Sequence, residues 1–171
     1  LCGVHATLIR METRPGTAYP LGATFDGTGT NFAIYSSVAT AVTLCLLDDD
    51  LNEMRIPMTE VDAYVWHVYV PQVRAGQRYG YRIDGPWDPM NGLRCDPSKL
   101  LLDPYAKAIE GQLKDSLSLL SYCSDDPLVL KGGDSAAATM HSIVVNPFFD
   151  WQGDHSPGHD YSESIIYEAH I

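Results

Sequence analysis

Between residues 20 and 85, apolar residues recur in short alternating runs, each closed by a turn signal. This pattern constrains the fold more than any other feature of the chain. Residues 30–37, TNFAIYSS, alternate Phe32 and Ile34 against Ala33 and Tyr35. Residues 41–50, AVTLCLLDDD, put Val42, Leu44 and Leu46 on one face and stop in an acidic turn. Residues 53–58, EMRIPM, contain Pro57, which cannot donate to a ladder and so belongs at an edge or strand end. Residues 64–71, YVWHVYVP, are aromatic and β-branched, and residues 78–84 set Tyr79, Tyr81 and Ile83 against Arg78 and Arg82. No amphipathic helix competes in this stretch. Strands this short at this spacing predict an all-β, antiparallel β-sandwich.

After Asp84 the composition changes. Residues 85–111 are dense in Pro and Gly. Only residues 104–109, PYAKAI, have the form of a short helix, with Asp103 as N-cap, Pro104 in the first turn and Gly111 just beyond the end. Residues 112–140 read as loop, least structured at KGGDSAAAT. Residues 142–151 read as a further strand and 152–163 as a connection. The expected organisation is an N-terminal lead (1–14), a sandwich module (15–105), an extension (106–163) and a final strand (164–171). That last segment, SESIIYEAHI with its lead-in, has the apolar centre of a buried strand but no partner after it.

The chain has 171 residues, enough for one domain and an extension. Its 11 basic and 22 acidic residues give a net charge of −11, which argues against nucleic acid and anionic membrane as partners. A neutral polysaccharide is compatible with that charge. No apolar run approaches the ~20 residues that span a bilayer, and the first residues have no cleavage pattern of a signal peptide. They also lack an initiator Met, so they read as trimmed or appended. Cys2, Cys45, Cys95 and Cys123 form no C-x-x-C pair, and the reading is a reduced, cytoplasmic protein without disulfides.

Candidate chemistry is sparse. Asp48, Asp50 and Asn52 have the opening spacing of a calcium loop, but Glu53 and Thr59 stand where that loop needs Gly and Glu. A solvated turn is the better reading. His155 and His159, with Asp160, would pair on a helix, which Pro157 and Gly158 oppose, so no metal site is expected. No nucleophile elbow, phosphate loop or dinucleotide fingerprint is present, and no cofactor or catalytic residue is assigned. Tyr64 and Trp66 read as strand residues of the core. Trp87 follows Gly85-Pro86 on a turn, where an indole can stack on a sugar ring or pack on the extension.

The run GQRYGYRIDGPWDPMNGLRCDPSKLLLDPYAKAI, residues 76–109, resembles the N-terminal module of bacterial glycogen debranching enzymes, of the isoamylase type within the α-amylase superfamily. Residues 14–50, VWHVYVP and residues 134–151 fit the same module in order, and SIIYEAHI resembles the first strand of the (β/α)8 barrel that follows it. The resemblance spans residues 14–171. It implies an early-set immunoglobulin-like sandwich of carbohydrate-binding module family 48. It also implies a parent that hydrolyses α-1,6-glucosidic branch points, with catalytic carboxylates on later barrel strands that these residues do not include.

Some members of this module family hold glycogen with two Trp, a Lys and an Asn. Trp87 matches one Trp, no second Trp stands near residues 44–52, and the Lys position is Gly80. The resemblance implies a module that buttresses the catalytic barrel of the same parent chain, with glycogen or α-glucan contact through Trp87; the nearby aromatics Tyr81 and Trp66 are the other candidates for that contact. Two rival readings are an autonomous glucan-binding module and an enzyme in its own right.

Overall fold

The computed structural model describes residues 11–170, so Cys2, most of the expected lead and the last residue of the expected final strand lie outside the described residues. Among the described residues, eleven strands carry the fold. They are β1 (Gly22–Phe25), β2 (Thr30–Tyr35), β3 (Ala41–Leu47), β4 (Glu53–Met58), β5 (Glu60–Asp62), β6 (Val65–Val70), β7 (Arg78–Asp84), β8 (Trp87–Asp88), β9 (Leu93–Arg94), β10 (Ile109–Glu110) and β11 (His141–Ile143). One sheet has the order β1-β2-β6-β5 and the other β10-β11-β7-β3-β4, with β8 and β9 as a separate ribbon. All the strand pairs are antiparallel. The expected immunoglobulin-like sandwich is the observed architecture.

The two inner faces follow from alternation. Phe32 and Ile34 of β2, with Val68 and Val70 of β6, meet Val42, Leu44 and Leu46 of β3 and Tyr79, Tyr81 and Ile83 of β7 in one buried cluster. Three aromatics anchor it. Phe32 and Tyr79 stand edge to face at 5.0 Å, and Tyr79 and Tyr81 at 5.9 Å. Pro57 lies on β4, an edge strand as expected, and the acidic turn closes on Asp48, whose carboxylate accepts from the Asp50 and Asn52 amides.

The outer face of the five-stranded sheet is also covered. The chain after β9 crosses β7, where Tyr81 and Leu101 exchange both backbone hydrogen bonds at 2.9 and 2.8 Å. Leu100 and Ala136 pack on Cys45 and Leu47 in a second buried cluster. Arg82, expected on a polar face, is buried beneath this strap with 4% of its side chain exposed. Its guanidinium pairs with Glu53 of β4 and with Asp134 of the strap at 2.7 Å, and donates to the Pro97 and Ser98 carbonyls. Lys99 is buried beside it and donates to the Ser118, Gly132 and Gly133 carbonyls. The stretch expected to be least structured is therefore pinned, with Ser135, Ala136 and Ala138 buried.

Two expected elements differ. Residues 104–109 make a single turn, not a helix. Asp103 accepts from the Tyr105 amide at 2.8 Å, but its other oxygen takes the Tyr79 hydroxyl at 2.8 Å, and the chain runs on into β10. A short helix, α1 (Ser116–Leu119), forms instead, with Asp115 capping the Leu117 amide. Residues 164–170 form no strand, because no partner strand lies beside them among the described residues. Among the described residues, Cys45, Cys95 and Cys123 form no disulfide, and no described helix is long and apolar enough to cross a membrane.

The clamp has a pH signature. Burial opposes the Glu53 carboxylate, but hydrogen bonds from Arg82 and Arg55 hold it below the usual range, and Arg82 does the same for Asp134. Asp26 is held down to about 2, chiefly by the Thr28 amide. Depressed carboxyl values stabilise the fold above the ordinary carboxylate range, and that stability is lost as pH falls through the depressed values. Urea unfolding should therefore show stability falling below about pH 4. Glu53→Gln should make that acid decline shallower; equal slopes in both proteins would contradict the clamp.

Candidate functional site

The ribbon carries Trp87, one of two half-buried sequence candidates. β8 and β9 are joined by a 3-10 turn, Pro89–Asn91, closed by Gly92 at φ 78°, a left-handed conformation that glycine adopts without strain. Trp87 pairs with Arg94 across the ribbon, and the Arg94 guanidinium lies 5.9 Å from the Trp87 ring centre and 5.5 Å from that of Tyr122. The Trp87 Nε1 donates to the Leu128 carbonyl at 2.8 Å. The indole is half-buried and its one donor is committed to the extension. Trp87 thus fastens the extension to the ribbon.

The other two candidates sit elsewhere. Tyr81 is wholly buried between the sheets and presents no face to a ligand. The alternation that groups it with Tyr79 and Ile83 makes it core. Trp66 is half-buried on β6 and packs against the same cluster. Trp87, Tyr81 and Trp66 are not brought together into one surface. Tyr64, expected in the core, is 61% exposed, because it lies on the turn between β5 and β6 at φ 69°.

Gly80 marks the most telling position. It faces the strap, and a Cβ built there would lie 2.8 Å from the Leu101 carbonyl oxygen and 3.0 Å from Leu100 Cδ1. The sheet surface that a lysine would use in the glycogen-holding pattern is occupied here by the protein's own chain. Among the described residues, no group of three or more His, Cys, Asp or Glu side chains could hold a metal ion, and His155, His159 and Asp160 lie in an exposed loop and turn.

Comparison with known proteins agrees with this architecture. The family model for carbohydrate-binding module 48 (isoamylase N-terminal domain) matches residues 20–106. A glycogen operon protein GlgX homolog of Mycobacterium tuberculosis (strain ATCC 25618 / H37Rv) is 54% identical over 164 residues, covering 92% of this chain and 22% of that protein. A glycogen debranching enzyme of Serratia proteamaculans is 44% identical over 167 residues, covering 94% of this chain and 24% of that protein. The chain thus spans about a quarter or less of the length of these relatives. Among solved structures, Klebsiella pneumoniae pullulanase complexed with maltotriose matches with a TM-score of 0.50 and 18% identity, over 75% of this chain and 10% of that one.

Restoring a lysine tests the strap. Gly80→Lys forces a side chain against a backbone carbonyl and should cost about 1–3 kcal/mol, typical of overpacking. It should also open the wholly buried Cys45 to thiol reagents, as followed by mass spectrometry. Unchanged stability with Cys45 still protected would mean that the strap is loosely held.

Proposed function

The chain belongs to the carbohydrate-binding module 48 family, the isoamylase N-terminal domain, and from that membership we propose that it is the non-catalytic sandwich module of a longer glycogen debranching enzyme. In this reading the parent hydrolyses α-1,6-glucosidic branch linkages in glycogen, and the module buttresses its catalytic barrel in the cytoplasm. One observation carries the proposal. Phe148, Phe149 and Trp151, followed by Ile165, Ile166 and Tyr167, are each at least 64% exposed on the extension beyond β11. Phe149 and Trp151 already stack edge to face at 4.9 Å. Apolar surface of this size, on a segment that joins no sheet, is suited to burial against another part of a longer chain. Residues 164–170 would then find the strand partners they lack here.

Glucan contact is the finer part of the proposal. Trp87 is its candidate, because the ring stays partly open while Arg94 and Leu128 fix its orientation. Tyr81 and Trp66 would serve that surface only by supporting the core beneath it.

Docking is tested by Phe149→Ser combined with Trp151→Ser. In the 171-residue chain these side chains face water, so stability should change by no more than about 0.5 kcal/mol. In a longer protein that includes the barrel, the same pair should lower the melting temperature by several degrees. Equal, negligible effects in both proteins would contradict docking through this segment.

A further inference from the structure

Two exposed aromatic rings stand together at one end of the four-stranded sheet. Tyr35 ends β2, and Tyr64 lies on the turn between β5 and β6; they are 51% and 61% exposed. The rings meet edge to face, with centres 6.4 Å apart and planes at 77°. The turn holds Ala63 at φ 48° and Tyr64 at φ 69°, a left-handed conformation disfavoured for any residue with a Cβ. The Ser36 amide donates to the Tyr64 carbonyl at 2.9 Å and ties the turn to the end of β2.

An anchored acceptor lies in the same row, two strands across from Tyr35. Tyr35 is opposite Val65, and Val65 is opposite Asp62, so Tyr35 and Asp62 share one row across the outer face of the sheet. The Asp62 side chain is 75% exposed, yet its Oδ2 meets the Nε2 of His67 at 3.1 Å, and His67 is buried, with 5% of its side chain exposed. A buried ring thus holds one oxygen of an exposed carboxylate on the same face.

Size and charge select the occupant. The two rings together expose on the order of 200 Å², taking roughly 200 Å² for a fully exposed aromatic side chain. A stable protein partner needs about 800 Å² on each side. Residues 31–40 and 59–68 contain no Lys or Arg, which disfavours phosphate or any other anion. A neutral polyhydroxylated ring fits. Its flat C–H face packs on tyrosine, its hydroxyls donate to Asp62, and two rings near a right angle suit a chain whose successive sugar faces turn.

We propose that Tyr35, Tyr64 and Asp62 form a binding site for consecutive glucose units of an α-linked glucan that does not include Trp87. This inference rests on the glucan-contact part of the proposed function and is independent of the docking part, which is read in thermal stability. The test is affinity electrophoresis of the chain in gels of increasing glycogen concentration, with hydroxyethylcellulose as a β-linked control. Tyr35→Ala and Tyr64→Asn should each weaken glycogen binding about tenfold or more. Asn tolerates the left-handed turn, so the second variant removes the ring without straining the backbone. Tyr64→Phe keeps the stacking surface and should bind like the unmodified protein, and Asp62→Ala should weaken binding. Trp87→Ala in the same gels reports separately on the ribbon. The proposal is overturned if the Tyr35 and Tyr64 variants are retarded like the unmodified chain, or if the unmodified chain is not retarded by glycogen at all.

Discussion

The guanidinium of Arg82, buried on the outer face of a sheet, holds the second half of this protein to the first. An unpaired charge at that depth would be strongly unfavourable, so Arg82 is stable there only while its partners stay in place. Those partners come from three parts of the chain: Glu53 on β4, the carbonyls of Pro97 and Ser98, and Asp134 far along the extension. Lys99 repeats the arrangement with three backbone carbonyls. A long irregular segment can stay ordered without regular structure when two buried cations gather its carbonyls.

The clamp also decides which surfaces are free. The strap crosses β7 at Gly80, where even a methyl group would collide with backbone, and it leaves no room for a ligand on that face. Trp87 is drawn into the same arrangement through the Leu128 carbonyl. The open aromatic surface of the sandwich accordingly lies on the opposite sheet, at Tyr35 and Tyr64, while the exposed apolar surface of the extension lies at residues 148–151 and 165–167. One sheet face is covered by the protein's own chain, and the exposed apolar and aromatic surface lies elsewhere.

The sandwich was legible because period-2 alternation acts locally. Val42, Leu44 and Leu46, and Tyr79, Tyr81 and Ile83, turned inward as their spacing predicts. That alternation turns Tyr81 into the core, so the ligand contact expected of it is not available. What could not be read depends on partners distant in sequence. Alternation sets Arg82 on the face opposite Tyr79 and Tyr81, and nothing near it in sequence announces Asp134, 52 residues on. Asp103 looked like a helix cap, and it does bond the Tyr105 amide, but Tyr79 and Ser142 claim its other groups and the helix does not propagate. Tyr64 looked buried because its pattern continues β6, whereas a two-residue turn with Ala63 lifts it out. Residues 164–170 have the composition of a strand and, among the described residues, no strand to pair with.

The central claim, that the extension is an integral cover of the five-stranded sheet, is tested most directly by amide hydrogen exchange on the 171-residue chain. Tyr81 and Leu101 donate to each other across the strap. If the cover is integral, the Leu101 amide should be protected as strongly as the amides that pair β3 with β7, and should open only with the whole sandwich. Exchange of Leu101 at the rate of an exposed loop, with β3 and β7 still protected, would contradict the account and leave that sheet face open to a ligand.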